Sequence, residues 1–300
     1  MKSAVLFLAG VLALSFGPIS AAPAQAAADT AQPQEITADK VEVSTPELRP
    51  NLDAFEPPLG TYTYLVSWQG IPAAEAKLTV DRDGEYYRVD SSARTNSFID
   101  MFYRLRYWAK ALVGVKDLRP KFSVSFSREN SRQKDSEILF LPNGVVNAVR
   151  RETGKEPLKL RFDPKNQMLD PFSAAFLARG LDWRIGETKE FDTFNGRTRY
   201  LVSLTAVDRV NITVNGKPRA AWVITPKVKK LTAPDDSNKK LRTAKIYLTD
   251  DKRREVLKIE SEVFVGTVTT RLVSFAEAQK TPALADAARA QGPRRSAAAG

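Results

Sequence analysis

Any chemistry in this chain must fall to carboxylates, lysines or tyrosines, because its 300 residues include no histidine and no cysteine. That excludes Ser-His-Asp and Cys-His catalysis, histidine zinc sites and imidazole-ligated haem. Paired carboxylates acting on a glycosidic bond are the main arrangement left, and they need a fixed separation across a cleft. The acidic candidates are Asp170, Asp182, Asp250 and Asp251. Three of these four have simpler readings: Asp170 stands where a helix N-cap belongs, and Asp250-Asp251 where a hairpin turn belongs. There is no Walker-type phosphate loop, dinucleotide fingerprint or EF-hand loop. The expectation is a protein that is not an enzyme and uses no metal or cofactor.

The charge balance points to anionic partners. Net charge is +11 and the sequence pI is near 9.7. Basic residues concentrate in Arg104-Leu105-Arg106, Arg150-Arg151, Lys227-Val228-Lys229-Lys230, Lys239-Lys240-Leu241-Arg242 and Lys252-Arg253-Arg254. Most of these read as solvated loops and strand edges, where lysine also discourages sheet-to-sheet pairing. In Phe102-Tyr103-Arg104-Leu105-Arg106-Tyr107-Trp108 aromatics interleave with arginines. That mixture suits an anionic head group joined to an apolar tail, and equally a strand with one half-exposed face.

The clearest helix runs from Asp170-Pro171 to Gly180. Asp170 is a natural N-cap, with Ser173 completing the cap, and Pro171 occupies the first helical position. Phe172, Phe176 and Leu177 share one face at helical spacing, and Gly180 is expected to end the helix in a left-handed conformation. So short a helix needs an apolar surface to lie on. Strands predicted on both sides supply it: 61–68, 73–80, 85–93, 105–113, 121–129, 136–141 and 145–151 before the helix. After it come 188–191, 197–207, 212–214, 220–228, 245–249, 256–265 and 268–275. A helical turn is expected within 96–103. Leu257, Ile259 and Val263 alternate with Lys258, Glu260 and Glu262, as in antiparallel sheets with one buried face.

The termini read differently. Lys2, the apolar run 4–16 and Ala24-Gln25-Ala26 form a secretory signal peptide over 1–26. Residues 27–58 read as a flexible or extended lead-in, and 277–300 as a disordered tail. Without cysteine the exported chain cannot be a lipoprotein or carry disulfides, so a diffusible periplasmic protein is expected, with nucleic acid excluded as a partner.

Four motifs occur in a characteristic order: Tyr64-Leu65-Val66-Ser67-Trp68-Gln69-Gly70-Ile71, then Leu118-Arg119-Pro120, Asp170-Pro171-Phe172-Ser173, and Leu248-Thr249-Asp250-Asp251-Lys252-Arg253-Arg254 followed by Gly266. Together they resemble a bacterial envelope family known as domain of unknown function 3108, over about 59–275. The resemblance implies an exported β protein of undefined activity and transfers no catalytic residue. A helix inside a curved sheet is also similar in shape to Lol-type periplasmic lipoprotein carriers, whose open barrel shelters acyl chains, although none of their motifs is present.

The expected architecture is mainly β. An antiparallel meander over 59–276, about a dozen strands, curls into an open or half barrel with one or two short helices against the concave face. The expected function is binding of a lipidic or amphipathic anionic envelope component such as phospholipid or lipopolysaccharide. Phe172, Phe176 and Leu177 would line the cavity, and Arg104, Arg106, Tyr107 and Trp108 would meet the head group. The alternatives are a scaffold or adaptor with an envelope protein partner, and a carboxylate enzyme acting on glycan.

Overall fold

Turn residues at positive φ, among them Gly70, Gly84, Asn130, Gly154, Asn215 and Gly216, reverse the chain after one alternating stretch after another. The product is a meander. The structure is a computed structural model and describes residues 34–35, 44–231, 241–263 and 266–278. The strands before the long helix are β1 (Gln34–Glu35), β2 (Gly60–Trp68), β3 (Ile71–Asp83), β4 (Tyr86–Thr95), β5 (Leu105–Gly114), β6 (Pro120–Glu129), β7 (Arg132–Phe140), β8 (Val146–Glu152), β9 (Lys155–Phe162) and β10 (Met168–Leu169). Those after it are β11 (Thr188–Phe194), β12 (Arg199–Val214), β13 (Lys217–Lys230), β14 (Leu241–Thr249), β15 (Val256–Val263) and β16 (Thr267–Glu277). Helix α1 (Ser97–Asp100) is a single turn, and α2 (Pro171–Gly180) is the long helix.

All sixteen strands belong to one sheet, in the order β1-β9-β8-β7-β6-β5-β4-β3-β2-β16-β15-β14-β13-β12-β11-β10. Every pairing is antiparallel except those of the two-residue end strands β1 and β10. No hydrogen-bonded seam closes the sheet among the described residues. It curls until its two ends face each other. Phe162 on β9 meets Phe194 on β11 edge to face, with centroids 5.0 Å apart, inside a cluster joining β7, β8 and β9 to β10 and β11. The β11–β12 turn is pressed so closely on β7 that a Cβ on Gly196, at φ +87°, would overlap the Ser136 hydroxyl. The fold is thus mainly β, an open curl with a helix in its concavity.

Helix α2 fills that concavity. Phe172 and Phe176 join the core formed with β2, β3, β4 and β5, while Ala174 and Leu177 join the core of β11 to β15. One helix therefore serves both halves of the sheet. Asp170 caps it, its Oδ1 accepting from Ser173 N at 2.8 Å and from the Ser173 hydroxyl. Gly180 departs from expectation: it stays within the helix, and the C-cap is Leu181 at φ −85°. The small residue is needed there for space, since a Cβ would stand 3.0 Å from both Leu118 Cδ1 and Pro50 Cβ.

Several sequence expectations need correction. Strand β9 was not among the predicted strands, because Pro157 and four charges obscure the alternation of Leu158, Leu160 and Phe162. Predicted strands 197–207 and 212–214 are one strand, β12, carrying a bulge between Ala206 and Asp208. The described part of the lead-in is not free. Phe55 is buried against Phe176 with ring centroids 6.4 Å apart, and Leu48 packs on the β11–β15 core. These apolar anchors hold the segment across the mouth of the sheet. Strand β16 runs through Glu277. The expected signal peptide and the tail beyond 278 lie outside the described residues.

Candidate functional site

Strand β6 is built inside out. Its sequence alternates Phe122, Val124 and Phe126 with Ser123, Ser125 and Ser127, and hydrophobicity alone would turn the first set inward. Register decides otherwise. Ser123, Ser125 and Ser127 stand opposite the buried Ala111, Ala109 and Tyr107 on β5, so the serines face the concavity. Phe126 then lies outside, stacked on Trp108 at 6.0 Å. The same row continues through Ser136 on β7 to Arg150 on β8. A polar strip thus crosses the inner wall of a sheet whose other inner positions are mostly apolar.

Against this strip sits the N-terminal end of α2. Between them is a chamber of about 50 Å³ lined by Ser123, Ser125, Ser127, Ser136, Arg150 and Asp170 and by the charged Glu129, Lys134 and Asp135, with Tyr107 and Phe172 also in its wall. Arg150 is 8% exposed, and burial followed by the charge of Arg197 pulls its pKa below the usual guanidinium value. Asp170 is fully buried, and loss of solvent pushes its carboxyl above the usual carboxylate range despite the hydrogen bonds from Ser173. Tyr107 is likewise raised, by burial and then by the neighbouring Asp170.

Two further cavities are almost wholly apolar. One of about 80 Å³ lies between α2 and strands β2, β3 and β5, with Tyr64, Leu78, Tyr107, Phe172, Phe176 and Ile259 in its wall. The other, of about 110 Å³, lies across the helix among Ala174, Ala178, Phe191, Leu204, Ile224 and Ile246. Both are lined by Ala175, Arg179, Val256 and Ile259. The first also shares Tyr107 and Phe172 with the polar chamber. Each is of the order of the ~150 Å³ apolar cavities that accept benzene-sized molecules.

Arg179 pins the helix end. Its Nε donates to the Arg254 carbonyl at 2.7 Å and its Nη2 to the Arg253 carbonyl at 3.1 Å. The guanidinium lies over the rings of Phe55 and Phe176 at 5.2 and 5.4 Å. A wider groove, of about 580 Å³, opens at the rim near Thr45, Arg119 and Asn166. In its lining Arg119 pairs with both Glu47 and Asp117, and Lys121 and Lys165 add further positive charge.

The structure brings together only part of the residue set that the sequence suggested. Phe172, Phe176 and Tyr107 do line cavities. Leu177 is buried in the core instead. Arg106 points away from the concavity and binds Asp100 at 2.5 Å, with Arg104 nearby at 3.8 Å; Arg106 holds the Asp100 carboxyl down to about 2. Trp108 lies on the convex face and is 43% exposed. Strand alternation is the reason: Arg106 and Trp108 flank Tyr107 and must face the other way. Arg150 and Arg179, which the sequence reading did not place in the cavities, line them, as do Lys134 and Lys77. Of the four acidic candidates only Asp170 lines one of these interior cavities. Asp182 accepts from Asn51 Nδ2 at 2.9 Å, and Asp251 accepts backbone N–H groups in the β14–β15 turn. No cluster of acidic side chains suited to a metal ion occurs among the described residues.

The molecule is thus a curled antiparallel sheet around a capped helix, with adjoining polar and apolar internal spaces. The chain belongs to the family described as protein of unknown function (DUF3108), whose family model matches residues 63–273. Among solved structures it is similar to a β-barrel-like protein of domain of unknown function DUF1849 from Brucella abortus, at 9% identity over 74% of this chain and 97% of that one, TM-score 0.49. A candidate lipoprotein from Parabacteroides distasonis matches at 8% identity over 77% of this chain and all (100%) of its own, TM-score 0.30. The hypothetical protein CT021 from Chlamydia trachomatis matches at 11% identity over 73% and 87%, TM-score 0.28. No curated protein matches by sequence.

Proposed function

We propose that this protein is a periplasmic binding protein that holds an amphipathic, anionic component of the cell envelope and catalyses no reaction. The observation that carries the reading is the pair of apolar cavities meeting at Ala175, one of them sharing a wall with the polar chamber. Apolar space inside a folded protein forfeits packing, at roughly 24 cal/mol per Å³. Its presence beside a polar chamber that holds the buried Arg150 favours a ligand with an apolar part and a polar end. Native mass spectrometry on protein purified from an envelope fraction without detergent tests this. The expected result is a co-purifying amphiphile in the wild type and none in Ala175→Phe, whose ring enters the space where the two cavities meet. A wild-type protein that arrives empty and takes up no octyl or decyl amphiphile in solution overturns the reading.

A second reading, a scaffold for an envelope complex, has one specific observation behind it. Leu112, Phe122 and Leu139 stand in register across β5, β6 and β7 on the convex face, near the Trp108–Phe126 stack. Replacing Trp108 and Leu139 by serine removes a docking patch of that kind and leaves amphiphile uptake intact. If function in cells is lost with uptake unchanged, the scaffold reading prevails.

A further inference from the structure

The polar chamber holds a buried guanidinium that makes no direct ion pair among the described residues. Arg150 Nε is buried and has no hydrogen-bond partner, and neither has the Ser136 hydroxyl beside it. No carboxylate lies within ion-pair distance of the Arg150 guanidinium among the described residues. The acids nearest along the same strips are occupied: Glu152 by Arg132 at 3.0 Å and Lys155 at 3.2 Å, and Glu129 by Lys134 at 3.0 Å. Arg197 adds a second positive charge to the surroundings of Arg150, and Glu152 and Glu129 offset it only in part, so that burial and Arg197 together leave the guanidinium below its usual pKa. A guanidinium cannot discharge itself by losing a proton in this range, and a buried charge without a partner is strongly unfavourable. Such a group is conformationally and electrostatically ready for an anion.

We propose that the chamber is an oxyanion site, in which the Arg150 guanidinium and the Ser136 hydroxyl donate to a carboxylate or phosphate group. Its volume of about 50 Å³ suits a group of that size. Asp170 faces the same space with its Oδ2 unpartnered. Burial favours the neutral form of this carboxyl, which donates to an oxyanion where the ionised form would repel it. Since Tyr107 and Phe172 line both the chamber and the first apolar cavity, an oxyanion held here is placed to be the head group of a ligand whose apolar part lies at Ala175. That extension rests on the amphiphile reading above. The oxyanion site itself does not.

Calorimetric titration with inorganic phosphate, octyl phosphate and octanol, on wild type, Arg150→Met and Ala175→Phe, separates the two. The expected result is that Arg150→Met weakens octyl phosphate at least tenfold, leaves octanol within twofold, and melts at the wild-type temperature or higher, because a buried charge without a direct ion pair has gone. Phosphate binding lost in Arg150→Met, with octyl phosphate no tighter than phosphate and both indifferent to Ala175→Phe, supports the site with a free anion as its ligand and defeats the amphiphile reading. Octanol and octyl phosphate binding alike, both sensitive to Ala175→Phe and indifferent to Arg150→Met, overturns the oxyanion site and leaves the amphiphile reading standing. Should Arg150→Met fail to fold, the wild-type protein decides. The Arg150 Nε–H resonance must shift on adding phosphate or octyl phosphate, and Ser136→Ala must weaken either ligand severalfold; a resonance that does not move overturns the proposal.

Discussion

Asp170 shows how one residue carries both a structural and an electrostatic role. Its cap on α2 was legible because capping is local: an acid, then proline, then an amphipathic turn. Its complete burial was not, since burial belongs to the curl of the sheet. The consequence is a pH dependence of defined sign. A carboxyl whose folded pKa is raised favours the protonated form in the folded state. Its contribution is fully present below the ordinary carboxylate range and is lost as pH rises through the raised folded value. Asn keeps the cap and cannot ionise, so Asp170→Asn should lack this component. Urea unfolding across pH 3 to 8 should show the variant gaining on the wild type as pH rises, and parallel curves would refute the assignment. Arg150 and Arg151 make a similar point. Alternation dictates that neighbours on a strand face opposite ways, so one of the two had to face inward. Arg151 pairs with Asp135 at 2.8 Å on the outer side, and Arg150 is the inner one.

Helix α2 is the element on which both halves of the core depend. Leu177 is nearly inaccessible within the β11–β15 core, and truncating such a leucine costs about 2–5 kcal/mol. Leu177→Ala is therefore expected to lower the chemical-denaturation midpoint sharply. Ala175→Phe, one turn-face away, should cost far less because it enters existing space. If the two variants are equally destabilised, the cavities beside Ala175 are not available space. Strand β6 is the counter-example to reading elements from hydrophobicity. Its alternation announced a strand correctly and gave no hint that serines would be inside. Pairing with β5 fixed that, because Ala109, Ala111 and Tyr107 must share a face with whatever stands opposite them. Strand β9 was hidden for the opposite reason: Pro157 is tolerated because β9 is paired fully on one side only, with β1 adding two residues at its far end.

At the scale of the whole molecule, an open sheet has two ends to protect. Here they are brought together by side chains, the Phe162–Phe194 contact and the turn at Gly196 against Ser136. Phe194 is fully buried at that junction. Phe194→Ala is expected to cost about 3–5 kcal/mol and to speed amide exchange selectively in β7, β8, β9 and β11, while β2, β3 and β16 keep their protection. Uniform loss of protection would mean that the ends do not open as a separate unit.

The sequence by itself determined the capped helix, most of the hairpins, the antiparallel meander and the absence of histidine or thiol chemistry. These depend on neighbours within a few residues, where capping, turn conformation and alternation act directly. Which face of each strand turned inward was left to the tertiary structure. A two-residue period defines two faces and ranks them only by average polarity, and that ranking fails at β6, where inner serines and a buried arginine line the chamber. Pairing register and the curl of the sheet around α2 chose between the faces. With that choice Arg104, Arg106 and Trp108 went outside, and Arg150, Arg179 and Tyr107 went to the cavities.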